Sequence, residues 1–156
     1  MDKLIDFLFD TVLTLLLKIV GFVLIGSVLI QIISRAGMTA PFSWTEELAR
    51  FSFLWFCFLG SSYALRKKLH LGIDYFYLKF NFRIRFWIDF GINSLVLFFG
   101  ILLFVYGIKM MGITSIQKSP ILRLNMAFMY AVLPATGFLF SIFSVHQLLL
   151  LLKRPR

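Results

Sequence analysis

The chain has 156 residues, of which 60% are hydrophobic, 18% aromatic and only 15% charged, with a formal net charge of +9 and a mean hydropathy of +0.92. Soluble domains average roughly 45–50% apolar and about 25% charged residues, and one of this length buries only about 70% of its unfolded surface. The composition therefore excludes a soluble fold, and the single cysteine, Cys57, excludes an internal disulfide framework.

Four apolar stretches are long enough to cross a bilayer, whose hydrocarbon core of about 30 Å needs roughly 20 helical residues. They are Val12–Ile33, Leu48–Leu65, Phe86–Ile108 and Met126–Leu152. With the two polar residues that precede Leu48, the second span covers residues 46–65. The connections are too short for a soluble domain. We therefore predict an all-α integral membrane protein with four transmembrane helices in one domain, residues 1–156. The first stretch is too long for the apolar region of a signal peptide, so we expect it to be retained.

Residues at the ends of these stretches predict where helices begin and bend. Ser43 and Glu46 have the spacing of a capping box, so the second helix should begin near Ser43. Asn125 is a candidate N-cap for the fourth helix, and Pro134, which lacks an amide hydrogen, predicts a kink near Tyr130. Residues 70–85 mix aromatic and basic side chains, which is typical of a segment at headgroup depth. We expect an interfacial segment there, in the form of a short surface helix.

Basic residues are distributed unequally between the two sides of the membrane. With four spans, both tails and the middle connection share one side, which carries ten Lys and Arg residues against five on the other. The positive-inside rule therefore predicts that both termini are cytoplasmic. Contact with anionic lipid headgroups accounts for the positive charge, so we predict no nucleic-acid partner.

Small residues recur at helical spacing and predict the faces on which the helices pack, because small side chains let membrane helices approach closely. The residues concerned are Cys57, Gly60, Ser61 and Ala64 on the second span, Asn93, Gly100 and Gly107 on the third, and Gly137, Ser141 and Ser144 on the fourth.

Two ionisable residues lie within the spans, Lys18 in the first and Asp89 in the third. Both are about 8–9 Å from the same side at 1.5 Å per helical residue. We predict an intramembrane ion pair between them. The local alternatives are that Lys18 extends to the headgroups and that Asp89 pairs with Arg85 one turn earlier.

Residues suited to enzymatic chemistry are sparse. His70 and His146 are far apart in the sequence, and the neighbouring Glu46 and Glu47 would point away from each other on a helix. The middle of each span is mostly Leu, Ile, Phe and Val, whereas a solute site needs polar residues or broken helices there. We predict no catalytic, substrate-binding, metal or cofactor site on this chain, and a surface ion pair between Glu46 and Arg50.

A motif surrounds the second span. It reads WTEELARF at 44–51, Trp55, FLG at 58–60, ALR at 64–66 and HLGID at 70–74. Residues 44–74 resemble the small membrane subunit of tripartite ATP-independent periplasmic (TRAP) transporters. The sequence departs from the family pattern at residues 66–69, RKKL, where many members have a glycine before the histidine.

The resemblance implies a multi-pass protein of the bacterial inner membrane, part of a secondary transporter for organic acids such as sialic acid or C4-dicarboxylates. A periplasmic binding protein would deliver the substrate to a large membrane subunit that carries the sodium coupling. The small subunit would form a heterodimer with the large one and act as its scaffold. The residues that the motif carries over are Trp44, Glu46, Glu47 and Arg50 at the periplasmic end, Trp55 and Gly60 along the span, and His70 and Asp74 at the cytoplasmic turn.

Three other interpretations stay open at this stage. The motif residues could serve packing and capping inside the bundle instead of contact with a partner. The chain could anchor a different membrane complex, which predicts the same bundle with another partner. A small homodimeric exporter would need a carboxylate deep in the membrane, and Asp89, near the cytoplasmic edge, is the sole candidate.

Overall fold

The computed structural model describes residues 7–37, 42–67 and 81–153. A π-helical segment, Phe7–Leu13, continues directly into α1 (Thr14–Gly37), which is followed by α2 (Ser43–Arg66) and α3 (Phe82–Thr114). The last two helices are α4 (Met126–Tyr130) and α5 (Val132–Lys153). Extended pairing in the described ranges is limited to one isolated bridge, between Lys118 and Asn125. The all-α class is confirmed.

Within the described ranges, four helical stretches are long and apolar enough to cross a membrane: Phe9–Gly37, Ser43–Arg66, Ile84–Thr114 and Met126–Leu152. Each contains one predicted span, and the fourth has the predicted bounds. The other three extend beyond their apolar runs, because helical hydrogen bonding continues into residues that are polar enough to lie at the membrane surface.

Helix packing places the first and third spans apart from each other. The principal contacts join α1 to α2, α2 to α5, and α5 to α3. The helices thus form the series α1, α2, α5, α3. We call the end of the bundle with residues 9–14, 60–67, 84–90 and 145–152 the tail end, and the end with residues 31–37, 42–50 and 108–131 the loop end.

The bundle has a small buried core and an extensive exposed apolar surface. Phe9, Leu13, Leu59, Val132 and Phe143 form the buried cluster, and the rings of Phe9 and Phe143 lie 5.9 Å apart. Large apolar side chains cover the outside of the bundle. Among the most exposed are Phe22 at 81%, Leu95 at 71% and Trp87 at 69%.

The closest helix contact lies between α3 and α5, where glycines meet. A Cβ atom placed on Gly137 would be 2.5 Å from the backbone nitrogen of Phe104, and one on Gly107 would be 2.6 Å from Cδ of Pro134. Gly100 lies similarly close to the hydroxyl of Ser141. The predicted packing faces are therefore confirmed at Gly100 and Gly107 of the third span and at Gly137 and Ser141 of the fourth.

The second helix begins at Ser43 as predicted, but the predicted capping box is wrong. Phe42 occupies the N-cap position and no side chain caps the helix. The hydroxyl of Thr45 donates to the carbonyl oxygen of Phe42 at 2.6 Å. The Glu46 carboxylate turns outward because two arginines attract it, Arg35 at 3.6 Å and Arg50 at 3.2 Å.

The start and bend of the fourth span are as predicted. Asn125 is the N-cap of α4, with its side-chain oxygen accepting from the backbone N–H of Ala127 at 2.9 Å. The α-helix is interrupted for one residue at Ala131, next to Tyr130, whose carbonyl receives no N–H from Pro134. The predicted interfacial segment lies mostly outside the described residues. From Phe82 onward the chain already belongs to α3.

Candidate functional site

Glu47 of the second-span motif binds the connection between the third and fourth spans. Its carboxylate Oε2 accepts the backbone N–H groups of Ile121 at 3.1 Å and Leu122 at 2.8 Å. Glu47 is only 6% exposed. A buried carboxylate with two backbone hydrogen bonds is a structural group that holds α2 against this connection.

The connection that Glu47 binds, residues 115–125, is a folded turn. The Ser119 N–H donates to the Leu124 carbonyl at 2.8 Å, and the Met126 N–H donates to the Gln117 carbonyl at 2.9 Å. Arg123 adopts a left-handed conformation with φ of 57°, and the Asn125 side-chain amide donates to the Ser115 carbonyl at 2.8 Å. The hydrogen bonds of Glu47 hold the turn against the start of α2 at the loop end.

Glu46 faces the opposite way and forms an exposed charged cluster with Arg35 of α1 and Arg50 of α2. The distances are 3.6 Å to Arg35 and 3.2 Å to Arg50, with side chains 54–65% exposed. The predicted surface pair of Glu46 and Arg50 is confirmed. Exposed ion pairs of this kind contribute only about 0–1 kcal/mol to stability. The fold therefore depends little on these three side chains, and their charges are available for contacts with other molecules.

The remaining motif residues divide between surface and bundle. The Trp44 ring is partly exposed and lies 6.2 Å from that of Phe42. Trp55 is half-buried and stacks on Phe128 with ring centroids 5.7 Å apart. A Cβ on Gly60 would be at an ordinary contact distance of 3.9 Å from Leu17 of α1. His70 and Asp74 lie outside the described residues.

The structure does not bring Lys18 and Asp89 together. Lys18 is exposed on α1, where it borders an open groove against α2, while Asp89 lies on α3, which packs against α5. The ion pairs found within the described ranges do not join these two residues. Equal depth in the membrane was the basis of the prediction, and depth does not determine which helices are neighbours.

Sequence reasoning missed a charged contact at the tail end. The Asp10 carboxylate lies 3.0 Å from Nζ of Lys67 and 3.7 Å from a guanidinium nitrogen of Arg66. The hydrogen bond to Asp10 raises the pKa of Lys67. In the sequence, Asp10 comes just before the first predicted span, and the basic pair of Arg66 and Lys67 comes just after the second. This contact joins the beginning of the first span to the end of the second.

The polar contacts of the motif residues stabilise the fold and shape its exposed surfaces. Within the described ranges, no group of three or more His, Cys, Asp or Glu residues is arranged to hold a metal ion. The polar residues of the motif instead organise one end of a membrane bundle.

Comparison with known families accounts for this architecture. The model of the DctQ component of tripartite ATP-independent periplasmic transporters matches residues 24–154. The chain belongs to the DctQ family. The resemblance in residues 44–74 is thereby confirmed, and the DctQ match includes both Glu47 and the turn that it binds. As a DctQ protein, the chain is a non-catalytic membrane component of a TRAP transporter.

A curated relative of this DctQ protein is the sialic acid TRAP transporter permease protein SiaT of Haemophilus influenzae (strain 86-028NP). The two are 32% identical over 115 residues. The match covers 73% of this chain but 18% of SiaT. The DctQ protein therefore corresponds to less than a fifth of that relative.

Proposed function

We propose that this DctQ protein is the scaffold of a sodium-driven TRAP transporter in the bacterial inner membrane. It would form a heterodimer with the large membrane subunit and hold the static part of that subunit in place while the transporting part moves. The observation that supports this role is a braced bundle with exposed apolar outer helices. Such surfaces mark contacts with lipid or with another membrane protein.

Contacts between helices at both ends of the bundle resist deformation, which a scaffold requires. The Glu47 carboxylate joins α2 to the turn before α4 at the loop end, and Asp10 joins the first and second spans at the tail end. The helix α3 has 33 residues, which corresponds to about 50 Å at 1.5 Å per residue. That length exceeds the hydrocarbon core of about 30 Å, so α3 extends into the headgroup regions and resists displacement along the membrane normal.

The transported solute would be an organic acid, and the similarity to SiaT makes sialic acid the first substrate to test. The large subunit would carry the solute site and the sodium coupling, so this chain needs no cofactor of its own. A periplasmic binding protein would deliver the acid. The exposed cluster of Arg35, Glu46 and Arg50 at the loop end is available for contact with either partner.

Two experiments test the scaffold role. The tagged chain is purified from its native membrane in mild detergent, and co-purifying proteins are identified by mass spectrometry; we expect a much larger multi-span protein in equal amount. The complex, and the large subunit alone, are then reconstituted with the binding protein, and sodium-driven uptake of labelled sialic acid is measured. We expect uptake by the complex and at least a tenfold loss without the small subunit. Equal uptake by the large subunit alone would contradict the scaffold role, and a clean homodimer would contradict the partnership.

A further inference from the structure

An open groove runs along the outside of the bundle between α1 and α2. Its lining surface is almost entirely apolar, and three of the residues that border its tail end, Thr14, Lys18 and Tyr63, carry polar groups. The complete lining consists of Thr14, Leu17, Lys18, Gly21, Phe22, Ile25, Phe56 and Tyr63.

The length of the groove matches one leaflet of a bilayer. From Thr14 to Ile25 the helix rises about 16 Å at 1.5 Å per residue, which is close to half of a hydrocarbon core of about 30 Å. Gly21 lies on the floor of the groove, where α1 comes close to α2: a Cβ there would lie 3.1 Å from the ring of Phe56. A linear acyl chain fits a passage of this length, whereas a partner helix would cross both leaflets.

The charge at the tail end of the groove favours an anion. Lys18 borders the groove directly. Nζ of Lys67 lies 5.7 Å from the ring centre of Tyr63, so a second cation is beside the same rim. Asp10 lies within ion-pair distance of both Arg66 and Lys67. Lys18 adds a positive charge at the depth where a lysine reaches a lipid phosphate.

We propose that this groove binds an anionic phospholipid, with one acyl chain along Gly21 and Phe56 and the headgroup phosphate against Lys18. The membrane then supplies a fixed ligand that fills the space between the first two spans. Lys18 is thereby a lipid-binding residue and not a partner of Asp89. The proposed lipid site belongs to this chain alone, so evidence against the scaffold role would not contradict it.

Native mass spectrometry of the purified full-length chain tests the site. The protein is delipidated and titrated with phosphatidylglycerol or with phosphatidylethanolamine. We expect one tightly held lipid and a preference of about tenfold for phosphatidylglycerol. Lys18→Met should remove that preference, and Ile25→Trp, which fills the groove, should remove retention of both lipids. The control is Lys109→Met, because Lys109 is an exposed cation at the other end of the bundle, beside Tyr106, and its loss should change neither quantity.

Two outcomes would overturn the proposal. The first is an unchanged lipid preference in Lys18→Met with unchanged retention in Ile25→Trp. The second comes from a photocrosslinking amino acid placed at Phe22 in the intact transporter complex. Crosslinks to phospholipid support the groove as a lipid site, whereas crosslinks to the large subunit would show that a protein helix occupies it.

Discussion

Glu46 and Glu47 are neighbours in the sequence but have opposite environments. Glu46 is exposed between two arginines, while Glu47 is buried and accepts the N–H groups of Ile121 and Leu122. A hydrogen bond to a charged group contributes about 1.5–3 kcal/mol, whereas an exposed ion pair contributes about 0–1 kcal/mol. Of the two carboxylates, Glu47 is therefore the one on which the loop end depends.

Replacement of Glu47 should loosen the turn at residues 115–125. We expect Glu47→Ala to lower the free energy of unfolding by about 2–3 kcal/mol, because it leaves two backbone donors without their acceptor. Glu47→Gln should cost less, since its amide oxygen still accepts. Hydrogen exchange at the amides of Ile121 and Leu122 measures the effect directly. Glu46→Ala is the matched control and should change stability by less than about 1 kcal/mol; full protection of both amides in Glu47→Ala would contradict this assignment.

At the scale of the helices, the contact between α3 and α5 is the tightest and has no room for a methyl group. We expect Gly137→Ala to destabilise the bundle by about 1–3 kcal/mol, because its Cβ would meet the backbone of Phe104 and Gly100. The control is Gly112→Ala, whose Cβ meets nothing within 4 Å and which should stabilise α3 by about 0.5–1 kcal/mol. Thermal unfolding in detergent measures both, and equal melting temperatures for the two variants would contradict the packing.

The series α1, α2, α5, α3 also predicts that Lys18 and Asp89 act independently. In a double-mutant cycle, Lys18→Ala and Asp89→Ala should have additive effects on the free energy of unfolding, within about 0.3–0.5 kcal/mol. The double variant would cost clearly less than the sum of the single variants if the two residues formed an ion pair. That result would support the ion pair that we predicted from the equal depth of the two residues in the membrane.

At the scale of the whole molecule, orientation depends on the ten-to-five distribution of basic residues between the two sides. From the positive-inside rule we predict that the tail end is cytoplasmic. A fusion after Arg156 should therefore give fluorescent green fluorescent protein and inactive alkaline phosphatase. A fusion truncated after Lys118, at the loop end, is the control and should give active alkaline phosphatase. Active phosphatase after Arg156 would reverse the orientation.

The sequence by itself was sufficient for the features that depend on local chemistry. Long apolar runs identified four spans, because a bilayer demands a continuous apolar helix. The Asn125 cap and the bend before Pro134 follow from groups within a few residues. The glycines of α3 and α5 were recognised as a packing face because only small side chains allow such an approach.

Only the tertiary structure decided which helices are neighbours. Glu47 and its amide partners are 74 and 75 positions apart, and Asp10 and Lys67 are 57 apart; no local pattern records these pairings. The capping box at Ser43 failed because Arg35, on another helix, competes for Glu46. Hydropathy and depth place a residue along the membrane normal, but the order of helices around the bundle depends on side-chain fit over all faces at once.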